Sequence, residues 1–464
     1  MSAFEVIASL WSALGGGPEA LGPLEVVNEA PVYRSRYRAD LAATVTIAVT
    51  AAAAAEVWRS RSEAAHRATV DARHAAIAFR SERYLRVNGG PPPEGGGWIG
   101  GFYRSKDGRI VHLHTSFLHH QERELAVLGA EATKDAVAAA VATWDAEALE
   151  RAIQEGGGVA RVLRSPAEWA AHPQGQAVSA LPPVVTERIE DASARTFAGT
   201  GALPLSGVRV LDLTRVIAGP VAGRTLAACG ADVLLIGNDD LPTLETFQID
   251  TGFGKRAVHL DLRSASGRAR LLELAAEADV LVQAFRPGAM EAIGLGFADV
   301  AKVRPGIVYL SLNAWSQAGP WAMQRGFDSL VQTASGIGYA PVEGDVAGTP
   351  SPLPAQVLDH GTGYIAAAAV MRALADQAVG GGSRHLHVSL AQTGAWFTGL
   401  GAGDESVGGD PRFEDVGDLL AEMPSAWGDL TYVRPAITLD GAGLAWTTPP
   451  EQGGVSAPEW RPRR

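Results

Sequence analysis

The chain has 464 residues, 47% of them hydrophobic and 19% charged, with a formal net charge of −12. That balance belongs to a globular protein with apolar material for about three domains, and the lack of any Lys/Arg block excludes the basic footprint of a nucleic-acid binder. One cysteine, Cys229, rules out a disulfide framework or a cysteine zinc cluster within the chain, and no metal is expected.

The first segment, "MSAFEVIASLWSALGGG", has no basic stretch ahead of its apolar residues and does not read as a signal peptide, so a cytoplasmic location is expected. Leu41–Trp58 is an apolar run made mostly of alanine. It lacks the strong hydropathy that a span of ~20 residues needs and is expected to be a buried helix, with no membrane partner. A Gly/Pro loop, "NGGPPPEGGGWIGG", precedes a strand–turn–strand pattern with Asp107-Gly108 at the turn. Helical patterns follow, which makes this first part a small α+β domain. A linker is expected over Arg195–Gly207. Beyond it, strand patterns at Val208–Leu213, Asp232–Ile236, Val280–Ala284 and Ile307–Leu312 alternate with helical ones, which predicts a parallel sheet covered on both faces. Cys229 sits on an apolar helix end and reads as a small buried hydrophobe. The expected divisions are residues 1–200, 201–400 and a tail, 401–464, packing back on the core.

Two segments resemble each other. Asp40 opens the first Ala-rich helix, and Asp359 opens a second, "LDHGTGYIAAAAVMRALAD"; each is followed at similar spacing by "VDARHAAIAF" or "VSLAQTGAWF". Either Asp suits a helix cap.

The βαβ-like stretch "GVRVLDLTRVIAGPVAGRTLAACGADVLLIG" lacks the spacing G-x-G-x-x-G, which argues against an NAD-dependent oxidoreductase. Its Ala218-Gly219-Pro220 turn opens a helix whose first N–H groups suit an anion. After it, in order, come "GKRAVHLDL", "ADVLVQAFRPGAMEAIGLG", "RPGIVYLSLNAWSQAGP", "RGFDSLVQTASGIG" and "PLPAQVLDHGTGYIAAAAVMRAL". This series, from Gly207 to about Phe397, resembles the family III CoA-transferases, the superfamily of formyl-CoA transferase, carnitine CoA-transferase and α-methylacyl-CoA racemase. "EGGGWIGG", "YRSKDGRIVHLH" and "RSPAEWAAHPQ" resemble the small domain of that family, which normally comes second, so the domain order looks permuted.

The resemblance implies an α/β fold: a Rossmann-like CoA-binding domain, a small α+β domain and an interlocked homodimer, or a hetero-oligomer with a homologue. It implies an acyl-CoA:carboxylate CoA-transferase, with coenzyme A and a small carboxylic acid as substrates and no prosthetic group. Asp359 would be the nucleophile, forming a mixed anhydride. Arg215, Ala218, Lys255, Arg256, Phe285 and Arg286 would contact CoA, the basic ones through its phosphates. Trp98, Phe102 and Trp315 would suit an acyl chain. Phe327 stands where family racemases carry a histidine, which disfavours racemisation. Gly237 stands where a glutamate is expected after the second strand, which leaves open a weakly active CoA-ester-binding subunit.

Overall fold

The structure is a computed structural model and describes residues 1–62, 64–92, 97–194, 201–238, 240 and 243–463. Its centre, among the described residues, is a seven-stranded sheet. In spatial order the strands are Lys255–His259, Asp232–Gly237, Arg209–Leu213, Val280–Gln283, Val308–Asn313, Ser383–Ser389 and Val185–Ile189. The first six run parallel, and the last pairs antiparallel at one edge. "VRVLDL", "DVLLI" and "DVLVQ" read as continuous apolar runs because helices cover both faces of these strands. The chain order reverses between the strands at Arg209 and Val280, so a crevice opens there at their carboxyl ends. Periodicity alone did not mark Lys255–His259, Ser383–Ser389 or Val185–Ile189 as strands of this sheet.

Two helices of 24 residues, Ala39–Ser62 and Val357–Gly380, pack against each other at the heart of the protein. Alanines let their backbones approach, and the Thr50 hydroxyl donates to the Tyr364 carbonyl at 2.9 Å. Ala39–Ser62 is long and apolar enough to cross a membrane, but 89% of its apolar window is buried inside the protein. Each long helix leads into a strand and a short helix. Asp71 caps Ala72–Ala78 by accepting from His74 N–H, and Ser389 caps Leu390–Thr398 by accepting from Gln392 N–H. The similarity between the Asp40 and Asp359 segments therefore extends to their element order.

The organisation departs from the expected halves. Val6, Ile47, Phe79 and Leu85 lie in the same core as Val210, Leu310 and Ile365. Strands at Leu24–Val27 and Ala68–Asp71 share a sheet with Thr438–Leu439, near the other end of the chain. The small unit is narrower than residues 1–200: a hairpin, Gly101–Arg104 with Ile110–Leu113, joined by Ala160–Val162 and enclosing its own core of Ile99, Val111, Leu149 and Ile153. Of the expected linker, residues 195–200 lie outside the described residues. The tail is pinned by two indoles, Trp446 donating to the Arg224 carbonyl at 2.8 Å and Trp460 to the Leu274 carbonyl at 3.0 Å. Cys229 is fully buried.

Candidate active site

Between the strands at Arg209 and Val280 the chain turns sharply. Val216 sits at φ 73°, a left-handed conformation that is costly for a β-branched residue and is held only where the surroundings over-determine it. The turn leads into the helix Ala218–Ala228 and forms one wall of a cleft of about 420 Å³. Arg215, Ala218, Phe285, Arg286 and Asp359, all anticipated from the sequence, line this cleft together.

Asp359 lies in the first turn of Val357–Gly380 and is 8% exposed. It is not the cap of its own helix. Asp328, from the helix Asp328–Ala334, accepts from the N–H groups of Leu358 (2.8 Å) and Asp359 (2.9 Å) with one carboxylate oxygen, satisfying donors that a helix start leaves unpaired. Gln332 donates to the other Asp328 oxygen while accepting from Leu353 N–H. The carboxylate of Asp359 has no hydrogen-bond partner among the described residues. Burial, then the Asp328 carboxylate, then Glu82 push its pKa well above the ordinary aspartate range. Its neighbour His360 points away, Nε2 lying 3.2 Å from Glu82 and the ring stacking on Phe79.

The small unit reaches the same cleft in the same chain. Phe117, His119, His120 and Arg123 line it alongside Arg325 and Phe327. Arg123, Arg215, Arg286 and Arg325 thus gather at one cleft in a protein of net charge −12. No carboxylate pairs with Arg286 or Arg325 among the described residues. Burial, then Arg286 and Arg123, lower the pKa of Arg325. Burial, then His119 and His114, press His120 down to about 3, so this imidazole is neutral and the positive charge is the arginines'. Sequence reading misses Arg123, His119 and His120 because about 240 residues separate them from Asp359. Arg325 and Asp328 lay inside the quoted "RGFDSLVQ", where only Phe327 drew notice.

Two expected phosphate contacts are corrected. Lys255 is 1% exposed; its Nζ donates to Asp212 (2.8 Å) and to the Pro220 carbonyl (2.8 Å) behind the turn. Arg256 forks onto Asp232 at 2.9 and 3.0 Å and donates to the Glu459 carbonyl. Both charges are spent inside the fold, Lys255 as a buttress under the Ala218 helix and Arg256 as a clamp on the tail. Nor do the aromatic residues proposed for an acyl chain line the cleft: Trp315 is core beneath the Arg161 guanidinium, and Trp98 is 60% exposed elsewhere. Of the Gly-rich loop, residues 93–96 lie outside the described residues, and Gly97 and Gly100 pack on Thr115 and Ser116.

Asp40 has a cavity of its own, about 310 Å³, lined by Tyr33, Tyr37 and Arg38. Its carboxylate accepts from Val32 and Tyr33 N–H, so its lone pairs are engaged where, among the described residues, those of Asp359 are not.

Comparison with known proteins places these residues in context. The family described as CoA-transferase family III matches residues 205–424. A "Probable fatty acyl-CoA transferase" of Mycobacterium tuberculosis is 36% identical over 188 residues, which are 37% of this chain and 47% of that protein. A human succinyl-CoA:glutarate CoA-transferase is 32% identical over 183 residues, 37% of this chain and 41% of that one. An acetyl-coenzyme A transferase of Hypoxylon pulicicidum is 29% identical over 335 residues, 66% of this chain and 56% of that one. The chain spans about half the length of these relatives.

Proposed function

We propose that this chain, which belongs to CoA-transferase family III through residues 205–424, moves CoA from an acyl-CoA thioester to a small carboxylic acid with Asp359 as nucleophile. The observation that carries the reading is the unengaged, buried Asp359 carboxylate on a cleft ringed by four arginines.

A carboxylate oxygen of Asp359 attacks the thioester carbonyl; the C–S bond breaks, leaving a mixed anhydride and CoA thiolate. The thiolate attacks the Asp359 side of the anhydride, forming an aspartyl-CoA thioester and releasing the first acid. The acceptor carboxylate attacks that thioester, regenerating an anhydride and the thiolate. The thiolate then attacks the new acyl carbonyl and restores Asp359. Each step exchanges one activated carboxyl for another, so no reductant, oxidant or net proton is needed. The arginines suit the phosphates of CoA and the incoming carboxylate. The buried setting of Asp359 suits a nucleophile that gains from desolvation. The names of the relatives, which include fatty acyl and dicarboxylic CoA esters, support acyl-CoA and carboxylate substrates as a class. We extend the reading to a cytoplasmic homodimer, as the resemblance implies.

The experiment is a mass-spectrometric screen of acyl-CoA and acid pairs for exchanged thioesters, run with wild type and Asp359→Ala. Exchange confined to wild type is expected; equal exchange by the variant would remove Asp359 from the reaction. CoA binding without exchange by either would select a weakly active CoA-ester-binding subunit.

A further inference from the structure

Away from the cleft, the antiparallel edge of the large sheet brings together three residues that no expectation joined. His385 and His387 lie two apart on Ser383–Ser389, so their side chains leave the same face, and Glu187 on Val185–Ile189 is the direct cross-strand partner of His385. His385, His387 and Glu187 each offer one ligand atom, and these atoms lie within 4.8 Å of one another. His387 Nε2 is 3.4 Å and His385 Nδ1 4.0 Å from Glu187 oxygens.

The nitrogens that face away from Glu187 are already held. His385 Nε2 lies 2.8 Å from Ser311 Oγ, which also accepts from the Gln283 amide at 2.8 Å. His387 Nδ1 meets the Gln317 side-chain Nε2, and a half-turn of that amide exchanges its nitrogen for its carbonyl oxygen. With Ser311 as acceptor, and with the Gln317 amide turned so that its Oε1 accepts from Nδ1, His385 presents Nδ1 and His387 presents Nε2 as lone pairs towards Glu187. That is the outer arrangement that orients metal-bound imidazoles. The two rings are buried and Glu187 is 60% exposed, so the cluster opens to solvent on one side.

We propose that Glu187, His385 and His387 bind one late first-row divalent cation, zinc foremost, and thereby staple the edge strand Val185–Ile189 to the sheet. Two imidazoles and one carboxylate with an open fourth position match the ligand preference of Zn²⁺ over Mg²⁺ or Ca²⁺. The expectation of no metal rested on the cysteine count; strand pairing across about 200 residues supplies ligands that no sequence spacing reveals.

The test is calorimetric titration of the chelator-treated full chain with Zn²⁺, with Co²⁺ absorption as a second readout. Wild type is expected to bind one equivalent, to give visible ligand-field bands with Co²⁺, and to melt higher with Zn²⁺ than with chelator. His387→Gln should abolish the tight equivalent, and Gln317→Leu, which keeps every ligand, should weaken it roughly 10–100-fold. Should a variant fail to fold, the wild-type Co²⁺ spectrum decides. No stoichiometric Zn²⁺ in wild type, or an equal equivalent in His387→Gln, overturns the proposal.

Discussion

Asp328 Oδ2 accepts the backbone N–H of Asp359 at 2.9 Å, so one carboxylate caps the helix that carries another and repels it. The cap fixes the helix start; the repulsion and burial hold the pKa of Asp359 up. An aspartate raised in this way weakens the fold. The native state binds the proton more tightly, so its stabilising contribution is full below the ordinary pKa of ~3.9 and is lost as pH rises through the raised value.

The first prediction follows from that sign. Asp359→Asn removes the charge while keeping size, and should abolish CoA exchange yet raise the melting temperature at mildly alkaline pH. The gain should vanish near pH ~4, where Asp359 is already protonated in the native state. Scanning calorimetry of both proteins across pH checks it; a variant less stable than wild type throughout would deny that Asp359 is strained.

The activity profile should show the same group. Only ionised Asp359 attacks, so kcat/KM should fall on acidification with an inflection above the ordinary carboxylate range. In Asp328→Asn the inflection should move to lower pH, because the second cause of the raised pKa is gone, while the amide oxygen can still cap the helix. An inflection that stays put would show that Asp328 does not tune the nucleophile.

Gly363, one turn beyond Asp359, is where the long helix crosses Ala218–Ala228. A Cβ there would lie 2.6 Å from the Ala218 carbonyl oxygen and 2.7 Å from the Val221 side chain. Gly363→Ala should cost roughly 1–3 kcal/mol and lower kcat/KM beyond what the unfolded fraction explains, since it pushes Asp359 away from the Ala218 turn. Gly361→Ala, whose nearest contact is the Thr393 methyl at 3.2 Å, is the control and should keep most of the activity. Equal losses in the two would separate the crossing from catalysis.

The two kinds of cation should behave differently. Arg325→Ala and Arg286→Ala should raise KM for acyl-CoA by about tenfold or more, given roughly 1.5–3 kcal/mol for a charge-assisted contact, with little change in melting temperature. Lys255→Met should do the reverse. It leaves Asp212 buried and unpaired, at a cost of about 3–5 kcal/mol, while the folded fraction keeps its KM. Steady-state kinetics beside thermal melts distinguishes the two.

Phe327 cannot carry a proton, so a 2-methylacyl-CoA should keep its α-hydrogen in heavy water. Deuterium uptake near the turnover rate, lost in His120→Ala, would instead assign the cleft imidazole as a base.

Sequence by itself determined the local half of this protein. Apolar runs marked four parallel strands, a Gly-Pro turn marked the helix opening towards the crevice, and an Ala-rich helix start marked Asp359, because backbone propensity and hydrophobic periodicity are short-range. The same order of motifs carried the family resemblance over Gly207 to Phe397. Tertiary structure decided which charges face the cleft. Lys255 and Arg256 sit in a basic-looking motif, but strand direction turns Lys255 onto Asp212 and Arg256 onto Asp232. Arg123 and His120 come from a helix about 240 residues away, and packing alone sets them on the same cleft as Asp359. Residues 1–90 read as part of a separate half, yet their buried apolar residues, such as Val6, Ile47 and Phe79, pack into the central core. Glu187 meets His385 only through strand register. Local pattern says which face of an element is apolar; which two faces meet is decided by the lowest free energy of the whole chain.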